Sequence, residues 1–115
     1  RYLVDKKDRE KILVKLAKSK LLWERRIAVL ATSIFIYDKD PNVTFKLVDL
    51  LMNDKEDLMH KACGWMLREV GKKSGEDILK KYLKNRYMTM PRTMLRYSIE
   101  KMDEETRQKY LKGKV

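Results

Sequence analysis

The sequence predicts an all-α protein of about seven short helices, stacked in pairs as an α-solenoid. Three observations predict it. Apolar residues recur at spacings of three and four along the chain, and no stretch alternates with the period of two that marks a half-buried strand. Clusters of Asp, Asn, Pro, Ser and Gly interrupt that pattern at short intervals. A cation near a helix start, followed by small or apolar residues, recurs at Arg26-Ile27-Ala28, Lys61-Ala62-Cys63 and Arg92-Thr93-Met94. These spacings suit paired-helix repeats of a few tens of residues, which stack with one concave face.

The elements follow in order. Asp5 to Lys18 has strong helix propensity, with Ile12, Leu13, Leu16 and Ala17 on the buried side and its charged residues on a solvated face. Ser19-Lys20 marks a turn. Leu21 to Tyr37 is the second helix, with Trp23, Ile27, Leu30, Ala31 and Ile34 on one apolar arc, so Trp23 reads as core or inter-helix packing. Asp38 to Asn42 is a turn, and Val43 to Met52 a short third helix. Asn53-Asp54 offers an N-cap to the central helix, roughly Lys55 to Lys72, with Gly71 placed for a left-handed C-terminal cap. Ser74 and Asp77 have capping-box spacing and open a helix to about Asn85. Arg86 to Thr89 is a loop, and Pro91 opens a helix with Leu95, Ser98, Ile99 and Met102 inward. Asp103 caps a last helix to about Leu111, and the tail from Lys112 to Val115 frays.

The central helix carries the densest information. At about 100° per residue, Met59, Ala62, Cys63, Met66, Leu67 and Val70 share an apolar arc. Lys61, Trp65, Arg68 and Lys72 share the opposite side, so a large aromatic lies inside a basic stripe. Such a stripe suits nucleic acid, which offers flat rings and phosphates; equally, Trp65 packs under a neighbouring helix and the cations are solvated. Gly64 sits mid-helix, where glycine costs about 1 kcal/mol relative to alanine, so it predicts close approach of a backbone or ligand. Arg26, at the edge of the second helix's arc, reads either as a fixed phosphate contact or as a packing arginine in a salt bridge. Arg92 and Arg96 form a second basic stripe.

Bulk properties bound the function. Lys and Arg number 28 against 17 Asp and Glu, and the formal charge of +11 predicts attraction to a polyanion. No apolar run approaches the ~20 residues of a membrane span. The single cysteine, Cys63, allows no disulfide within the chain and points to a reducing, cytoplasmic setting. It reads as a small buried hydrophobe. With one histidine, His60, and no Cys/His cluster, no metal site is expected.

Longer blocks carry a resemblance. Trp23-Glu24-Arg25-Arg26-Ile27-Ala28, then Asn53-Asp54-Lys55 leading to His60-Lys61-Ala62-Cys63-Gly64-Trp65-Met66-Leu67-Arg68-Glu69-Val70-Gly71, then Met90-Pro91-Arg92-Thr93-Met94-Leu95-Arg96-Tyr97, are similar to the DNA alkylation repair (AlkD-like) family. The resemblance covers nearly the whole chain. It implies HEAT-like repeats over a single domain, residues 1–115. It also implies a monomeric DNA glycosylase that excises N3- and N7-alkylated purines from double-stranded DNA, without metal or organic cofactor. Alkylation makes the purine a cationic leaving group, so such an enzyme has mainly to stabilise an oxocarbenium-like sugar.

Carried over by residue, the tryptophan of the G-W-x-L-R-E block is Trp65. The arginine of the W-x-R-R block is Arg25 or Arg26, with Arg26 favoured. Trp65 and Arg26 are then the lesion and backbone contacts, and Arg25, Lys61, Arg68, Arg92 and Arg96 further DNA-binding candidates. The family's W-D-x-x-D-like block, which carries its catalytic aspartate, is not found. The chain is therefore expected to begin just after it, as the C-terminal part of a longer protein; Glu69 and Glu24 are the candidate substitutes, each read more simply as a surface or salt-bridge carboxylate. Whether the chain alone is an enzyme stays open. The alternative is a non-enzymatic solenoid that binds nucleic acid or an acidic protein.

Overall fold

A computed structural model describes residues 6–33 and 41–115. Seven helices and no strand lie among them: α1 (Lys6–Ala17), α2 (Leu22–Ala31), α3 (Asn42–Leu51), α4 (Asp57–Lys73), α5 (Glu76–Leu83), α6 (Arg92–Ser98) and α7 (Glu104–Leu111). The expected Ile34 and Tyr37, and the Asp38–Asp40 part of the turn, lie outside the described residues.

The helices form two layers. The second helices of successive pairs, α2, α4 and α6, pack side by side with α4 in the middle. Their partners α1, α3 and α5 make the other layer. There Lys46 Nζ of α3 pairs with Glu10 Oε2 of α1 at 2.7 Å, and Phe45 of α3 stacks on Tyr82 of α5 with centroids 4.2 Å apart. Tyr82 Oη and Arg86 Nε both donate to Asp49 Oδ1, at 2.7 and 2.9 Å. The molecule measures 47 × 29 × 19 Å. Its shortest dimension matches two helix diameters of roughly 10 Å each, so the stack is a slab that grows along one axis.

The core runs along α4. Met59, Ala62, Cys63, Met66, Leu67 and Val70 are all buried, as their spacing predicts. Gly64 lies where α4 meets α6. A Cβ there would sit 2.6 Å from Tyr97 Cβ and 2.7 Å from the Met94 carbonyl oxygen. The missing side chain therefore sets how closely the two helices approach, and Met94, Leu95, Ser98 and Ile99 close the core from α6. Asp103 caps α7 by accepting from the Thr106 N–H at 2.8 Å. The Arg92 guanidinium donates to the Leu111 carbonyl at 2.8 Å and ties α6 to the end of α7.

Several expectations are corrected. Trp23, Ile27 and Leu30 are exposed; α2 buries Ala28 and Val29 instead, with Thr32 beyond its end. The helix carries two adjacent apolar stripes and packs through the smaller one, which permits closer approach. Ile12 is likewise exposed, while Leu13 and Ala17 are buried. Gly71 is not a cap. Helix α4 continues to Lys73, and the left-handed residue is Gly75, at φ 122°. The Ser74–Asp77 capping box does not form: Gly75 is the N-cap of α5, no side chain caps it, and Ser74 Oγ is buried without a partner among the described residues. Asp54 does not cap α4, which starts at Asp57. Its Oδ1 accepts the Glu56 N–H at 2.9 Å, two residues on.

The two α4 glycines separate steric from helical cost. Gly64→Ala meets a backbone oxygen, so it should lower unfolding free energy by roughly 1–3 kcal/mol, outweighing its gain in helix propensity. Gly71→Ala meets only Leu79 Cδ2, at 2.9 Å. That methyl can yield, and about 1 kcal/mol of propensity offsets the strain, so the variant should unfold near wild type in urea.

Candidate functional site

The outward side of α4 faces a groove of about 280 Å³ between the second helices. Arg26 and Leu30 enter from α2, Leu58, Lys61 and Trp65 from α4, and Tyr97 from α6. The geometry follows from the packing above. Turning Ala28 and Val29 inward rotates Arg26 and Leu30 toward α4. Letting α6 press on Gly64 brings Tyr97 beside Trp65.

Two cations line this groove. Arg26 is exposed and makes no hydrogen bond or ion pair among the described residues. Lys61 Nζ lies 3.7 Å from Asp57 Oδ2, one turn back, with both side chains exposed. Such a surface pair contributes little and yields easily to a phosphate. Trp65 is 45% exposed. The Arg68 guanidinium stacks on its ring, 3.7 Å from the centroid, yet Arg68 lines a neighbouring hollow and not this groove. An aromatic edge, an apolar floor and two cations can hold a flat ring joined to an anion.

The other expected site residues are dispersed. Arg25 is a staple: Nε donates to Asp54 Oδ2 at 2.8 Å and Nη1 to the Ser19 carbonyl at 3.1 Å, joining the α1–α2 turn to the α3–α4 turn. Arg68 is 10% exposed and donates from Nη1 to Glu100 Oε1 at 2.5 Å. Arg92 is held at the end of α7. Arg96 is exposed on α6, with no partner among the described residues. Glu24 accepts from Ser19 Oγ at 2.5 Å, and Glu69 lies 3.8 Å from Arg68 Nη2; neither carboxylate lines the groove. Sequence reasoning missed Tyr97, Leu30 and Leu58. The signal for Tyr97 was Gly64, whose missing side chain demanded a close partner beside Trp65.

Cys63 is no nucleophile. Burial first, and the Asp54 charge second, push its thiol from 9.0 up to about 12. His60 Nε2 hydrogen-bonds the Asp54 carbonyl at 2.6 Å and serves the turn. Among the described residues, no three His, Cys, Asp or Glu side chains cluster for a metal, and no helix is long and apolar enough to cross a membrane.

Fold and groove together define a class: a basic helical-repeat protein whose second helices share an aromatic, cation-lined groove. Over residues 1–102 the sequence matches the family described as DNA alkylation repair enzyme, and the chain belongs to that family. No curated protein and no solved structure matches it.

The Cys63 shift has a sign that can be measured. Above pH 9 the unfolded thiol loses its proton while the folded one keeps it up to about 12, so stability falls as pH rises through that window. Cys63→Ala should flatten the fall in denaturation midpoint between pH 9 and 11, where wild type is steeper. Equal slopes would show a thiol already open to water.

Proposed function

We propose that this chain serves a DNA glycosylase that excises N3- and N7-alkylated purines, contributing part of a HEAT-like surface that binds duplex DNA. The observation that supports it best is the meeting of Arg26, Lys61 and Trp65, from two helices, in one groove. In this reading Trp65 contacts the lesion nucleotide, Arg26 holds a neighbouring phosphate, and Lys61 adds attraction. Arg96 extends the basic track, and Arg68 acts against the far side of Trp65. Arg25 and Arg92 add to the positive field from their structural positions.

The chemistry divides into holding and bond breaking. The alkylated purine is a cationic leaving group, so the costly species is the oxocarbenium-like sugar, which wants an anion beside it. Among the described residues the groove offers cations and aromatics and no carboxylate. The groove therefore holds and orients, and excision needs a carboxylate brought to its edge. That same observation favours a second reading, in which the chain binds alkylated or distorted DNA without cleaving it.

Trp65→Ala should cut affinity for duplex carrying 7-methylguanine by about tenfold, while affinity for undamaged duplex changes less than threefold. Equal losses on both would leave Trp65 with no lesion-specific part. Arg26→Ala should lower the slope of log affinity against log salt by about one and leave the melting temperature unchanged. Arg25→Ala should instead destabilise the fold, by roughly 1–3 kcal/mol, by leaving Asp54 without its partner. Release of 7-methylguanine from methylated duplex separates the enzyme reading from the binder reading.

A further inference from the structure

Arg68 presents a problem that the groove alone does not solve. Its side chain is nine-tenths buried, and its Nε is buried with no partner among the described residues. Its one hydrogen bond among them is the 2.5 Å contact from Nη1 to Glu100 Oε1; the nearest other carboxylate oxygen, on Glu69, is 3.8 Å from Nη2. Its flat face lies against the Trp65 indole at 3.7 Å. Glu100 follows α6, so this contact ties the far end of that helix back onto α4.

We propose that Glu100 is a positioning residue, which clamps Arg68 over one face of Trp65 so that the indole meets DNA only from the groove. The inference rests on the groove reading above and adds to it a group that touches no DNA. Three observations support the order Glu100, Arg68, Trp65. Arg68 lines the neighbouring hollow with Lys72, Lys101 and Met102, so the guanidinium covers the indole away from Arg26 and Lys61. Trp65 remains 45% exposed, so without a stacked partner its ring would sample other rotamers. The cation already on that face also denies it to a base, which leaves a single mode of approach.

The sign of the effect distinguishes clamping from simple charge. Removing a carboxylate from a basic surface strengthens attraction to any duplex. Loosening a positioned aromatic costs lesion discrimination without that gain. Glu100→Gln, made in a Trp23→Phe background so that Trp65 is the only indole, should therefore bind undamaged duplex as well as its parent or better. Its preference for duplex carrying 7-methylguanine should fall by about tenfold. In the DNA-free protein, acrylamide should quench Trp65 fluorescence more readily, and the upfield ring-current shift of the Arg68 Cδ protons should shrink. Glu100→Asp, which keeps the charge, should recover part of both signals.

Quenching and ring-current shift unchanged in Glu100→Gln would overturn the clamp. Altered signals with lesion preference intact would also overturn it as a positioning device, while sparing the groove reading. A parent protein without lesion preference would instead remove the groove reading and the functional half of this inference, and the DNA-free signals would still decide whether Glu100 fixes the indole.

Discussion

The close contact of α4 with α6 at Gly64 is the constraint on which the rest of the structure depends. A missing methylene lets a tyrosine Cβ and a backbone carbonyl sit where a side chain would otherwise be. Helix propensity loses about 1 kcal/mol at that position. The return is a seam in which Met94, Leu95 and Ile99 interlock with the buried arc of α4. The same contact fixes Tyr97 beside Trp65 and carries Glu100 to Arg68. One glycine thus couples the core to the outward face of the same helix.

Charge is divided between two duties in this basic chain. Adjacent arginines at the start of α2 have opposite fates because successive helical residues point about 100° apart. Arg25 turns toward Asp54, whose side chain is 8% exposed, and neutralises a carboxylate that would be costly to leave unpaired. Arg26 turns toward the groove and pairs with no described residue. Arg68 and Arg92 are likewise spent on structure, one over an indole and one on a carbonyl. The positive charge that remains for a polyanion includes Arg26 and Lys61 in the groove and the exposed Arg96 on α6.

Much of the architecture was legible from spacing. The buried arc of α4 stood out because its apolar residues keep one face from Met59 to Val70. The N-cap of α7 at Asp103 and the close approach at Gly64 followed from local chemistry. Helix α2 misled because Trp23, Ile27 and Leu30 make a larger apolar stripe than Ala28 and Val29 do, and area alone does not reveal which stripe approaches a neighbour most closely. The Gly71 and Ser74 expectations failed together: α4 runs to Lys73, two residues past Gly71, which moves the left-handed turn to Gly75. Within the site, Trp65 and Arg26 were legible from motif and periodicity. Gly64 signalled a close partner without naming Tyr97, and the contact of Glu100 with Arg68 comes from beyond another helix, which no linear spacing records.

The central claim is that Trp65 reads alkylated DNA from the groove. The most direct measurement is its fluorescence in a Trp23→Phe protein, titrated separately with undamaged duplex and with duplex carrying 7-methylguanine under matched salt. The account predicts that the alkylated duplex quenches Trp65 more deeply at saturation, since only a lesion brings a distorted nucleotide against the indole. Equal quenching by both, or binding that leaves Trp65 emission unchanged, would contradict it.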